Sequence, residues 1–213
     1  MAARKGMKAM TTSGLAKEHR KRAKRRLRDR PEKLDELKRI LADFEQFCWR
    51  MLKIKTKSSR IMPLTLNDAQ RTFVRKVFRQ IEAGKPVQII ILKDRQMGFS
   101  TVTEALIYYF TSLQEAKNAF IVAQSSDASS NLYDMFQFYY EKVPEIIKPM
   151  SRNNSAKKLT FENPTIRTAD RRKNPGLKSK ITVQTAESRV LALLSRSDTI
   201  HYLHALEMAF WPA

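Results

Sequence analysis

Along the first predicted element, apolar residues recur at spacings of three and four: Leu34, Leu37, Leu41, Phe44, Cys48 and Met51. That spacing puts one stripe on a single helical face and predicts a helix over about 31–54. Pro31 suits its first turn, and Glu32, Asp35 and Glu36 suit the positive end of its dipole. Residues 55–62, "KTKSSRIM", read as a linker. In "PLTLNDAQRTFVRKVFRQIEAGKP", Asn67 or Asp68 caps a helix running to about Ala83, which Gly84 and Pro86 end. Val87 to Leu92 is a short apolar run bounded by turn residues, the pattern of a strand buried on both faces. Residues 99–113 predict a helix, and "NAFIVAQSS" a second buried strand that ends in small polar residues. Ser126 or Asp127 caps a helix reaching about Val143.

Beyond Pro144 the pattern weakens. Leu159–Phe161 and Ile181–Gln184 predict short strands, with "ENPTIRTADRRKNPGLKSK" between them as a polar, basic surface loop. "DTIHYLHALEMAFWP" predicts a last strand over about 199–206 that meets Glu207 and an aromatic pair. Strand–helix alternation over 87–143 predicts an α/β fold with a mainly parallel sheet flanked by helices. No internal repeat is present.

Composition adds a basic arm to this picture. The chain has 213 residues, 42% of them hydrophobic, enough for one domain with a core plus a tail. Its formal charge is +20, from 41 Lys and Arg against 21 Asp and Glu, and fits an anionic partner or, by charge alone, a solvated basic surface. Half of that excess sits in residues 1–30, which hold twelve basic and two acidic residues. This segment reads as a flexible arm suited to phosphate backbones and carrying no base-reading information. The one cysteine, Cys48, excludes an internal disulfide framework and a cysteine zinc site. No run approaches the ~18 apolar residues of a membrane span, and the N-terminus lacks the apolar core of a secretory signal. The expectation is a protein that is intracellular, not secreted, and without a membrane partner.

The candidate chemistry lies in "LKDRQMGFST". Aligned on Gly98, the common phosphate loop G-x-x-x-x-G-K-[ST] puts Ser100 on the hydroxyl position, Phe99 on the lysine position and Lys93 on the first glycine. Phosphates need backbone N–H donors, which a strand-to-helix turn supplies, and positive charge, which Lys93 and Arg95 bring. By pattern alone, a strand, a turn and a helix with scattered charges reads as well.

The loop resembles the variant Walker A motif of the large terminase subunits of tailed bacteriophages, K-x-R-Q-x-G-x-S-T, with its lysine moved to the start. Lys93, Arg95, Gln96, Gly98, Ser100 and Thr101 match it. "PLTLNDAQRTF" is similar to that family's adenine-recognising segment, with Gln70 as the glutamine; taken alone, Gln70 is a surface helix residue. "SDTIHYLHALEMAFWP" is similar to its Walker B, with Glu207 as the acidic residue and Leu206 where a second acid is usual. Taken alone, Glu207 is a helix-start glutamate, and His201 and His204 are residues that pack or hydrogen-bond locally.

The resemblance implies a P-loop (ASCE-type) NTPase core over 63–213, after the basic arm of 1–30 and an N-terminal helix and linker over 31–62. It implies ATP and Mg²⁺ as cofactors, bound by Gln70, Lys93, Arg95, Gln96, Met97, Gly98, Phe99, Ser100 and Thr101. Ser100 and Glu207 hold the metal, and Glu207, Arg95 and Lys93 serve catalysis. The implied activity is ATP hydrolysis coupled to translocation of double-stranded DNA into a procapsid. The implied partners are the portal protein, the small terminase subunit and further copies in a ring, in the host cytoplasm at the portal. The resemblance covers the first part of such a subunit, about residue 60 onward. The coupling motif, the remaining sheet strands and the nuclease domain are expected outside it. The arm and "RTADRRKNPGLKSK" (167–180) are the expected DNA contacts. A non-hydrolysing protein of the same fold that binds DNA or the packaging complex is the alternative, with a helicase or transposition ATPase fitting the loop less well.

Overall fold

The computed structural model describes residues 31–56, 58–92, 97–152, 157–186 and 199–211. The basic arm and the loop residues Lys93, Asp94, Arg95 and Gln96 lie outside the described residues.

The expected single helix over 31–54 is two helices, α1 (Pro31–Ala42) and α2 (Phe44–Met51). Asp43 separates them. Its backbone is extended, and its side chain accepts a hydrogen bond from the Gln46 N–H at 3.0 Å, capping α2. The cap thus interrupts a stripe that is continuous in sequence. Phe44, Cys48 and Met51 of that stripe are buried, whereas Leu34 is exposed. The linker is in fact a small antiparallel hairpin, β1 (Lys53–Lys55) with β2 (Ile61–Pro63).

Helix α3 (Asp68–Glu82) starts from a complete capping box. Asn67 accepts from the Gln70 N–H, and Gln70 accepts from the Asn67 N–H. Gly84, at φ +66°, leaves the helix at its other end. The next segment departs from expectation. Residues 87–92 pair with no strand among the described residues. Ile89 and Ile91 pack against the core, but Ile90 and Leu92 are 91% and 95% exposed. The run keeps the period-two alternation of a strand, yet one of its faces is uncovered.

Helix α4 (Phe99–Leu113) follows, then β3 (Asn118–Ala123) and α5 (Ser126–Lys142), which Ser125 caps by accepting from the Ala128 N–H. Strand β4 (Lys158–Glu162) leads to α6 (Thr168–Lys173) and the ten-residue β5 (Gly176–Thr185). The expected loop between these strands therefore contains a short helix and the first half of β5. Strand β6 (Tyr202–Ala205) and a 3₁₀ turn (Met208–Phe210) complete the described chain.

The four-stranded sheet has the order β4-β5-β3-β6. β3 is parallel to both β5 and β6, and only β4 is antiparallel. This is an α/β fold with a mixed, mostly parallel sheet packed against helices. Leu159, Phe161, Ile181, Val183, Ala119 and Ile121 alternate onto one buried face. Tyr108 of α4 meets the Phe161 ring edge-on at 6.1 Å, and Tyr140 of α5 reaches the same ring, so both helices cover that face. No helix among the described residues is long and apolar enough to cross a membrane.

Candidate functional site

Ligands of parallel α/β sheets bind beyond the carboxyl ends of the strands, where helix N-termini point their free N–H groups. Two contacts fix which way α4 runs there. Glu104 meets His204, and six residues later Phe110 stacks on Tyr202 at 5.4 Å and 14°. Advancing along α4 therefore means going back along β6. The N-terminus of α4 lies at the carboxyl end of β6, where Glu207 emerges. Ser100 is about 6 Å of helix rise before Glu104, and Glu207 follows two residues after the end of β6 at Ala205. The fold thus brings the Gly98–Thr101 turn and Glu207 to one edge of the sheet, although more than a hundred residues separate them in sequence.

The turn is held from α3. Gln70 is buried, and its Nε2 donates to the carbonyls of Gly98 (2.9 Å) and Met97 (3.3 Å). Its Oε1 accepts from the Asn67 N–H at 3.0 Å, and Asn67 Nδ2 also reaches the Met97 carbonyl at 3.5 Å. In this structure the Gln70 amide is engaged as a clamp on the turn. An adenine reader at this position would share or displace those bonds. Gly98 sits at φ +69°, and a Cβ there would come within 2.7 Å of Gln70 Nε2, so the position needs glycine on both counts. Gly98 has no side chain with which to cap α4, and the first turn holds no acidic residue, leaving that positive end unneutralised by the helix itself. Phe99 is turned away from the edge and meets Phe73 of α3 edge-on at 5.9 Å. Ser100 and Thr101 are half-buried, and the Thr101 carbonyl accepts from Tyr139 Oη at 3.1 Å. Met97 is exposed.

Glu207 is exposed and has a left-handed backbone, φ +47° and ψ +47°. For a residue with a Cβ this conformation costs of order 1–3 kcal/mol and recurs at functional positions. Its surroundings enforce it. The Trp211 indole N–H donates to the Leu206 carbonyl at 2.8 Å, and the Phe210 N–H donates to the Glu207 carbonyl at 2.9 Å. Of the expected aromatic pair, the Trp211 side chain ties this turn, whereas Phe210 contributes its backbone N–H and its ring is exposed.

Three polar residues of this region carry no motif. Gln124 continues β3 at the same edge, with a buried Oε1 that has no hydrogen-bond partner among the described residues; only the small polar "QSS" after the strand hinted at it. Glu104, fully buried, lies 2.8 Å from His204 Nδ1 through Oε1, and burial pushes its carboxyl above the ordinary range against the opposing pull of His204. Contrary to expectation, neither histidine bonds locally: His204 meets Glu104 of α4, and His201 accepts from the N–H of Asn118, 83 residues away, at 3.1 Å.

Two further features lie apart. A cleft of about 370 Å³ at the start of α3 is lined by Glu45, Leu66, Asp68, Arg71, Val74 and Arg75, none of them an expected site residue. Residues 166–180 supply exposed Arg167, Arg172 and Lys173, with Lys178 on β5. Among the described residues, no group of three or more His, Cys, Asp or Glu is arranged to hold a metal. Neither models of protein families nor curated proteins match the chain.

Proposed function

We propose that this chain is the ATP-hydrolysing part of a viral DNA-packaging motor, a P-loop NTPase of the large terminase type. The observation that carries the proposal is that the Gln70-clamped, glycine-dependent start of α4 and Glu207 both lie toward the carboxyl end of the parallel strands. A helix start with free amides receives phosphate oxygens, and an exposed carboxylate across from it orients water for attack on a terminal phosphate. Lys93 and Arg95, outside the described residues, are the cations the phosphates require. The hydroxyl of Ser100 and the carboxylate of Glu207 are hard oxygen donors and fit Mg²⁺, which such sites hold through one or two protein oxygens, phosphates and waters. The metal, when bound, neutralises charge on the phosphates. Gln70 fixes the turn, the Trp211–Leu206 bond ties the backbone just before Glu207, and Phe99 packs against Phe73.

Double-stranded DNA is the polymer the basic arm and residues 167–180 would track, in a sequence-independent and salt-sensitive way. The portal protein, the small terminase subunit and further copies of the chain complete the proposed assembly, in the host cytoplasm. One observation favours the non-hydrolysing alternative: residues 87–92, which lead into the loop, pair with no strand among the described residues. Mg²⁺-dependent ATP binding and turnover, measured for the wild type and for Lys93→Ala and Glu207→Gln, separate the two. The motor reading expects binding to fall in Lys93→Ala, and Glu207→Gln to bind ATP without turning it over. Wild-type binding without turnover supports the alternative, and no binding at all refutes both.

A further inference from the structure

Glu104 and His204 belong to no recognisable motif, yet they join the two elements on which the site depends. Glu104 lies one turn after Ser100 on α4, on the same helical face, and His204 lies three residues before Glu207 on β6. Fully buried carboxylates are rare because desolvation penalises the charge. An apolar pair would hold these elements together at no such cost, as Phe110 and Tyr202 do farther down the same interface. What an apolar contact lacks is direction. Stacked rings slide by a fraction of an ångström with little loss, whereas a 2.8 Å hydrogen bond between buried groups tolerates one spacing.

We propose that Glu104 and His204 are positioning residues that fix the register of α4 against β6, and with it the spacing between the phosphate end of α4 and Glu207. The inference rests on the nucleotide reading above and adds to it a device that sets the geometry of attack without touching substrate. Tyr139 of α5 supports the same turn from the other side, through its bond to the Thr101 carbonyl. A misplacement of about 1 Å at a reacting centre costs roughly 100-fold in rate. Loss of the pair should therefore appear in kcat, while the start of α4 keeps its affinity for nucleotide.

The experiment compares ATP turnover, KM for ATP and urea unfolding for the full chain and for His204→Phe, His204→Asn, Glu104→Gln and Phe110→Leu. His204→Phe should lower kcat by about 100-fold with KM near wild type. His204→Asn and Glu104→Gln, which keep a hydrogen bond between the two positions, should recover most of the rate. Phe110→Leu should lose stability and keep kcat. Where His204→Phe does not fold, the decision passes to His204→Asn and to the ¹⁵N shifts of the His204 ring, which report a hydrogen-bonded Nδ1. A free Nδ1 overturns the pair. Equal kcat in His204→Phe and Phe110→Leu at matched stability overturns the positioning role alone. Wild-type binding without turnover overturns it while leaving the nucleotide site standing, and a wild type that binds no nucleotide overturns both.

Discussion

Replacing Gly98 with alanine tests the turn on which the candidate site is built, and the structure sets the size of the effect. Two costs add. The left-handed backbone at φ +69° disfavours any residue with a Cβ by roughly 1–2 kcal/mol. The new methyl would also lie 2.7 Å from Gln70 Nε2, so the amide must retreat. Retreat forfeits its bonds to the Gly98 and Met97 carbonyls, at about 1 kcal/mol each. The sum is a loss of about 3–4 kcal/mol, a large share of the stability of a single domain. A double-mutant cycle with Gln70→Ala separates the two costs. Once the amide is gone the alanine has nothing to displace, so Gly98→Ala should then cost only the backbone share of about 1–2 kcal/mol. Urea unfolding of the four proteins measures the coupling, expected to be about 2 kcal/mol. Effects that add to within about 0.5 kcal/mol would show that Gln70 does not clamp the turn, and would remove the main structural support for the proposed site.

Two other expectations concern buried titratable groups. Burial raises the Glu104 carboxyl above its usual 4.5, so the folded chain holds a proton that the unfolded chain has released. Stability should fall as pH rises from about 4.5 through the raised value, and Glu104→Gln should flatten that fall in thermal melts across the range; parallel curves would refute it. Cys48 is fully buried, and desolvation pushes its thiol well above the ordinary range. A thiol reagent should therefore label it only as the chain unfolds, and rapid labelling under native conditions would contradict the packing of α2.

Several elements were legible in the residues alone because their causes are local. Helix α4 follows from an uninterrupted fifteen-residue run, α3 from the Asn67–Gln70 box, and β3 from an apolar run ending in small polar residues. Gly98 stood out as the turn glycine for the same reason: its backbone conformation is a property of one residue. What misled was also local. Asp43 reads as one polar residue on a helix until its side chain is seen to cap the next one. The basic stretch 162–180 hides α6 and half of β5, because Lys178 and Lys180 carry charge where an apolar pattern was sought. The alternation at 89–92 was visible, but burial on both faces is decided by neighbouring strands, and that segment has none among the described residues.

Local patterning sets the secondary elements with strong periods, the basic charge, and the residue types offered at the 93–101 loop and at Glu207. Tertiary structure decided the rest. It turned α4 against β6 so that its start points toward the end of the sheet from which Glu207 emerges, engaged Gln70 on the Met97 and Gly98 carbonyls, and buried Glu104 against His204. The hydrogen bonds among these join residues 27 to 100 positions apart. Period and composition record what a residue does to its own stretch of backbone. Which distant side chain a buried polar group meets is fixed only when the sheet and its helices pack, since burial is what makes an unpaired amide or carboxylate costly enough to select its partner.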